Sequence, residues 1–275
     1  MPTAYDPSWV KDYYDNYGMK EWNRWESNAV SRISWAIHVY YLRKFVKQGE
    51  RVLEMGAGAG RFTQVLAEIT SNIVVADISR GQLEINKQQA ETFGFDHAVE
   101  RRVECDVCDL TSHFDDDEFD TTVCYGGVLS YVYDSAGKAL SELKRVTKPG
   151  GCILVEVMSL WGAIHNDLMS VLTIPLEVSR KIIREGDLTK DLAVSTHYIH
   201  MYRAAEFENM LRCAGLETEA ISTTNALCTN LGEQLNSIPE NIDVWQCLIE
   251  MELEACCEPG CLDMGTHLIA VCRTS

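Results

Sequence analysis

The stretch Val52-Leu53-Glu54-Met55-Gly56-Ala57-Gly58-Ala59-Gly60-Arg61-Phe62-Thr63 constrains this chain more than any other part of it. An apolar strand signal runs straight into three glycines on alternate positions, and a helical pattern follows at once. Glycine lacks a Cβ, so the backbone can turn sharply there and let a ligand lie against N–H groups at a helix start. In an open parallel sheet such a turn sits at the carboxyl end of a strand, where ligands bind. The flanking sequence agrees. Strand signals at 51–54, 73–76, 102–105, 119–124 and 152–157 alternate with helical signals at 62–69, 83–93 and 136–146, and a Lys148-Pro149-Gly150-Gly151 turn precedes the fifth strand. This alternation implies right-handed crossovers and a mainly parallel sheet covered on both faces.

Glycine spacing separates two classes of ligand. A dinucleotide fingerprint, G-x-G-x-x-G, would place its third glycine at position 61, which is Arg61. The third glycine here is Gly60, and Glu54 precedes the first glycine by two residues. A carboxylate at that point repels a pyrophosphate and attracts an ammonium or sulfonium, which favours S-adenosylmethionine. Asp77 ends the second strand, about 20 residues after the first glycine, where an acceptor for a ribose diol is expected. Dinucleotide folds use an acid there too. Asp106 follows the third strand, within reach of an adenine amino group. Each acid alone also fits a solvated loop; three at successive strand ends form a pattern.

With these residues in view, the chain resembles the class I (seven-stranded, Rossmann-like) S-adenosylmethionine-dependent methyltransferases of small-molecule type. The resemblance covers residues 51–151 well and the remainder in outline. It rests on Glu54 to Gly60, Val75 to Ser79, Asp106 to Leu110, Phe119-Asp120 with Tyr125-Gly126-Gly127-Val128-Leu129-Ser130-Tyr131, and Arg145 to Gly151. It implies an α/β fold with a doubly wound, mainly parallel seven-stranded sheet and helices on both faces. It also implies that Gly56, Ala57, Gly58 and Gly60 line the methionine part of the cofactor and that Asp77 holds the ribose hydroxyls. Ile78 would flank the adenine, with Asp106 and the Val107 backbone at its edge, and the segment from Tyr125-Gly126 would pass beneath the sulfonium. Glu54 stands where the family often has aspartate. Arg24, in Glu21-Trp22-Asn23-Arg24, is a candidate for the carboxylate of the methionine end, against the plainer reading of a surface arginine.

Outside this core, residues 1–48 read as an aromatic-rich helical lid. Residues 49–275 read as one domain with helical insertions near 159–200 and 224–264. Methyl transfer asks the protein to align the acceptor, exclude water and, for hydroxyl or ammonium acceptors, remove a proton. The base candidates are His200 and His197, in Thr196-His197-Tyr198-Ile199-His200, and His165, which follows the fifth strand. The competing expectation for each is a hydrogen-bonded structural histidine. Tyr131 and Trp161 are candidates for shaping the pocket. Cys105-x-x-Cys108 and the Cys256, Cys257, Cys261 group have partial metal spacing, but reduced, partly buried thiols are the default, and no metal is expected.

Composition narrows the partners. Lys and Arg total 24 against 41 Asp and Glu, a net charge of −17, which disfavours nucleic acid and anionic membrane surfaces. No apolar run approaches the ~18 residues of a membrane span, and the N-terminus has no secretory pattern. Eleven cysteines in that context suggest the reducing cytoplasm. The expectation is methyl transfer from S-adenosylmethionine to an O or N atom of a small molecule. The alternatives are an inactive S-adenosylmethionine-binding module, a protein acceptor, or a dehydrogenase.

Overall fold

The structure is a computed structural model and describes residues 5–189 and 198–275. Seven strands form one sheet: β1 Arg51–Met55, β2 Asn72–Asp77, β3 Val99–Glu104, β4 Phe119–Cys124, β5 Thr147–Met158, β6 Glu217–Thr223 and β7 His267–Arg273. Their spatial order is β3-β2-β1-β4-β5-β7-β6. Strands β1 to β5 pair in parallel, while β7 runs antiparallel to both β5 and β6. The order reverses direction between β1 and β4, and a crevice opens at such a switch point beyond the carboxyl ends of the strands.

Alternate residues along the central strands enter opposite apolar layers, as the pleat requires. Leu53, Val74, Phe119 and Ile153 pack on one face with Leu140, Leu143 and Phe207. Val52, Ile73, Val75 and Leu154 pack on the other with Ile33, Ile37 and Leu66.

Among the described residues seven α-helices precede β5, three of them starting where a side chain accepts from a free N–H group. They are α1 Pro7–Tyr17, α2 Lys20–Asn23, α3 Ala29–Phe45, α4 Arg61–Ala67, α5 Arg80–Phe93, α6 Val128–Tyr131 and α7 Ala136–Val146. Asn28 caps α3 by accepting from the Ser31 N–H, and Ser79 caps α5 by accepting from the Gln82 N–H. Beyond β5 lie α8 Leu160–Asn166, α9 Leu168–Val171 and α10 Leu176–Glu185. A two-residue ribbon then pairs Asp187–Leu188 with Ile199–His200, and α11 Ala204–Cys213 leads to β6. The segment between β6 and β7 carries α12 Ile242–Ala255. The fully buried Glu252 of α12 accepts from the N–H groups of Ala226, Leu227 and Cys228 at 2.7, 3.2 and 2.8 Å, pinning the loop after β6.

Two differences from the sequence reading bear on the sheet. β3 begins at Val99 rather than 102, because it is the sheet edge and mixes Glu100, Arg101 and Arg102 with few apolar residues. The turn at 148–151 lies inside the span of β5: Thr147 pairs with Phe119 and Cys152 with Thr121, so the intervening residues loop out of the ladder. Among the described residues, no helix is long and apolar enough to cross a membrane.

Candidate active site

A cavity lies at the carboxyl ends of β1, β2 and β4, roofed by the N-terminal helices. Its walls include Gly56, Ala57, Gly58, Asp77, Ile78, Asp106, Val107, Tyr125, Gly126 and Arg24, so ten of the cofactor-binding candidates meet around one space. Both Asp77 oxygens are oriented by backbone: Oδ2 accepts from Gly58 N–H and Oδ1 from Ser79 N–H, each at 2.8 Å. Burial pushes this carboxyl up to about 6, with those two N–H groups opposing the rise. Asp106 Oδ1 accepts from the Cys108 N–H at 2.8 Å.

The roof brings charge of both signs. Gly58 has φ +53°, and a Cβ there would press on Glu21 Cγ at 3.1 Å, so Glu21 of α2 rests directly over the glycine turn. Arg24 Nε lies 2.8 Å from Glu21 Oε1, and Arg24 Nη2 would lie 3.6 Å from a Cβ on Gly126. Helix α1 is tied to the segment after Asp77: Lys11 Nζ donates to the Ile78 carbonyl at 3.2 Å. Asp15 Oδ1 accepts from Ser79 Oγ and Gly81 N–H at 2.6 and 3.0 Å.

Other expected residues lie elsewhere. Glu54 does not line the cavity. It is 2 % exposed beneath the turn and accepts from Thr63 Oγ1 at 2.5 Å. Burial pushes its carboxyl up to about 8, so it is largely neutral at pH 7 and supplies no anionic collar. Gly60 also faces away. With φ +98°, it lets α4 start against Asn86, whose Nδ2 would lie 2.8 Å from an added Cβ. Its role is packing.

The base candidates fare worse. His200 bridges two carboxylates, Nδ1 to Asp187 at 2.6 Å and Nε2 to Glu206 at 2.9 Å. Burial opposes its charge, but the two acids prevail and raise it to about 9. At neutral pH it is a protonated structural link with neither nitrogen free. His165 Nδ1 sits 3.3 Å from the Met264 carbonyl and lines no part of the cavity. His197 lies outside the described residues. Tyr131 does line the cavity, whereas Trp161 is 40 % exposed and faces Arg203. Burial raises the Cys105 and Cys108 thiols to about 12, so both are protonated at neutral pH. Among the described residues, no group of three or more His, Cys, Asp or Glu is placed to hold a metal ion.

One buried cluster went unread in the sequence. Glu156, 1 % exposed near the end of β5, accepts from Gly126 N–H at 2.6 Å. His38 Nε2 approaches its other oxygen at 3.1 Å, and His38 Nδ1 meets the Ser34 carbonyl at 2.7 Å. Burial disfavours the Glu156 charge, yet His38 and His267 hold its carboxyl down to about 2. The available signal was an acid inside the apolar run Ile153-Leu154-Val155-Glu156-Val157. Through Gly126 this carboxylate positions the floor of the cavity.

A methyltransferase domain family matches residues 53–155. The demethylmenaquinone methyltransferase of Clavibacter sepedonicus is 39 % identical over 107 residues, 39 % of this chain and 40 % of that protein. The chain thus aligns with less than half the length of the first curated relatives it matches. Among solved structures, an S-adenosylmethionine-dependent methyltransferase from Mesorhizobium loti superposes with a TM-score of 0.56 at 18 % identity, covering 88 % of this chain and 99 % of that one. The [4+2]-cyclase SpnF superposes with a TM-score of 0.60 at 17 % identity, covering 100 % and 98 %. Residues 53–155 thus match a methyltransferase domain, and the strand order with its antiparallel seventh strand is the fold of the class I, Rossmann-like S-adenosylmethionine-dependent methyltransferases.

Proposed function

We propose that this protein transfers a methyl group from S-adenosylmethionine to an O or N atom of a small-molecule acceptor, with residues 1–48 acting as a lid on the domain formed by 49–275. One observation carries the reading: Glu21 and Arg24 lie side by side over Gly58, presenting one negative and one positive group where the glycine turn leaves no room for a Cβ. An α-amino acid is a zwitterion, and this pair complements it charge for charge. Glu21 meets the ammonium and Arg24 the carboxylate. Asp77, with both oxygens already oriented, accepts from the ribose hydroxyls. Ile78 and Val107 flank the adenine, and Asp106 lies at its edge. Tyr125 and Gly126, held through Glu156, form the floor.

S-adenosylmethionine supplies an electrophilic methyl carbon activated by positive sulfur. The chain's part is to bind and orient, to exclude water beneath α1 and α2, and to accept the acceptor's proton. The second reading is an S-adenosylmethionine-binding module without methyl transfer: a protein named as a [4+2]-cyclase shares this fold, and a shared fold does not fix a reaction. Calorimetry with S-adenosylhomocysteine, followed by transfer of a labelled methyl group, separates the two. Binding with transfer supports the proposal, binding without transfer favours the second reading, and no binding overturns both.

A further inference from the structure

A second cleft of about 740 Å³ adjoins the cofactor cavity and shares Arg24 and Trp25 with it. Because β7 is antiparallel, its first residue, His267, lies beside Met158 at the carboxyl end of β5, on the same rim as the glycine turn. The cleft is walled by the start of α3, residues 166–167, the loop at 225–234 that Glu252 pins, and Thr266-His267. Every wall lies outside residues 53–155, the part matched to the methyltransferase domain. The acceptor of a relative therefore does not transfer with that match.

The wall is mostly polar: hydroxyl and carboxamide groups such as Ser31, Asn230 and Gln234 stand with the charged Arg24, Asp167 and Glu233, against apolar Trp25 and Val30. Asn225 and Thr229 are buried and hydrogen-bonded within the chain, so a ligand meets the exposed Asn230 and Gln234 instead. An apolar ring or tail laid against these two would strip their water without replacing it, whereas a hydroxylated ligand exchanges one hydrogen bond for another. His267 stands in this wall with its side chain 22 % exposed. Its Nδ1 is 3.1 Å from Thr266 Oγ1 and 4.0 Å from Glu156 Oε1, which leaves Nε2 for the cleft. Burial lowers its pKa; Glu156 opposes that, and Arg24 and His38 add to it, so the ring is neutral at pH 7.

Building on the methyl-transfer reading, we propose that this cleft is the acceptor site, that it takes a small polar molecule whose nucleophile is a hydroxyl, and that His267 is the base. The hydroxyl oxygen forms its bond to the methyl carbon as the carbon–sulfur bond breaks and the electron pair stays on sulfur. The hydroxyl proton passes to the neutral imidazole and then to water, so the charge lost from sulfur leaves as a proton.

The test uses the native chain, methyl-labelled S-adenosylmethionine and named probes: myo-inositol, methyl glucoside and glycerate, with histamine and menadiol alongside. Label should enter at least one of myo-inositol, methyl glucoside and glycerate, and neither the amine histamine nor the apolar aromatic menadiol. His267→Asn should lower kcat by about 100-fold or more and remove the acid limb of the pH profile, with unchanged affinity for S-adenosylhomocysteine. Gly232→Phe provides a check that does not touch the buried cluster. A Cβ there meets nothing closer than 4.0 Å and the backbone is unstrained, so the ring fills the cleft. It should reduce kcat/KM by about 100-fold and leave S-adenosylhomocysteine binding intact. Label only on histamine or menadiol, or on no probe, overturns the inference, as does normal turnover in Gly232→Phe or in folded His267→Asn. Failure of the native chain to bind S-adenosylhomocysteine overturns the underlying reading instead.

Discussion

The two spaces that meet at Arg24 and Trp25 are built in opposite ways. The first cavity takes much of its wall from residues at strand ends: the glycine turn after β1, Asp77-Ile78 at the end of β2, Asp106-Val107 after β3 and Tyr125-Gly126 after β4. Much of its geometry is backbone, as in the Gly58 and Ser79 N–H groups that aim Asp77. The second cleft has no such motif. Its walls are side chains from four segments that are far apart in sequence and meet only through packing. A site made of backbone at strand ends can be read from spacing, while one made of converging side chains cannot.

The largest expected effect tests the first half of that contrast. Gly58→Val imposes a branched side chain at φ +53° and against Glu21, so affinity for S-adenosylhomocysteine should fall by roughly 100-fold or more with the fold retained. Near-native affinity by calorimetry would show that the turn does not face the ligand. Next come Glu21→Gln and Arg24→Met, which bring the lid into the comparison. Each should weaken S-adenosylhomocysteine by about 10-fold or more and leave methylthioadenosine, which lacks the amino-acid end, unaffected. Equal losses for both ligands would mean a general collapse of the roof.

Smaller effects separate what lines the cavity from what supports it. Glu54 has a folded-state pKa of about 8, raised by burial, so the folded chain holds a proton there that the unfolded chain has released above its ordinary range. Stability should therefore fall as pH rises from about 5 through 8. Glu54→Gln should flatten that slope and raise Tm at pH 8 by roughly 5 °C; an unchanged slope would contradict the assignment. His200 has the opposite sign. Its pKa is raised to about 9 by Asp187 and Glu206, so its contribution is complete below the ordinary imidazole range and is lost as pH passes 9. His200→Gln should lower Tm by about 2–4 °C at pH 7 and by less at pH 9.5, with turnover unchanged. Loss of turnover without loss of stability would restore it as a base candidate.

The fold was legible because its signals are local. Alternating strand and helix periods located the five parallel strands, and the glycine turn marks the crevice. Errors came where local signal is diluted, at the polar edge strand β3 and at the loop inside β5. The site was legible where backbone makes it and misread where packing does. Glu54 has the spacing of a ligand-facing acid, yet Thr63 closes over it and Glu21 supplies the cavity's charge. His200 has the composition of a base, yet two carboxylates from separate elements keep it protonated. Nothing near His267 in sequence signals that Glu156, Arg24 and His38 surround it.

By itself the sequence determined the alternation of strands and helices, a mainly parallel sheet and the turn against which a nucleoside-bearing ligand can lie. Backbone conformation and strand pairing follow from residues that are neighbours or regularly spaced along the chain. Which carboxylate is charged, which histidine is neutral and which side chains enclose a second cleft were decided only by tertiary structure. Protonation and exposure depend on groups brought close by packing, and those groups are often a hundred or more residues away.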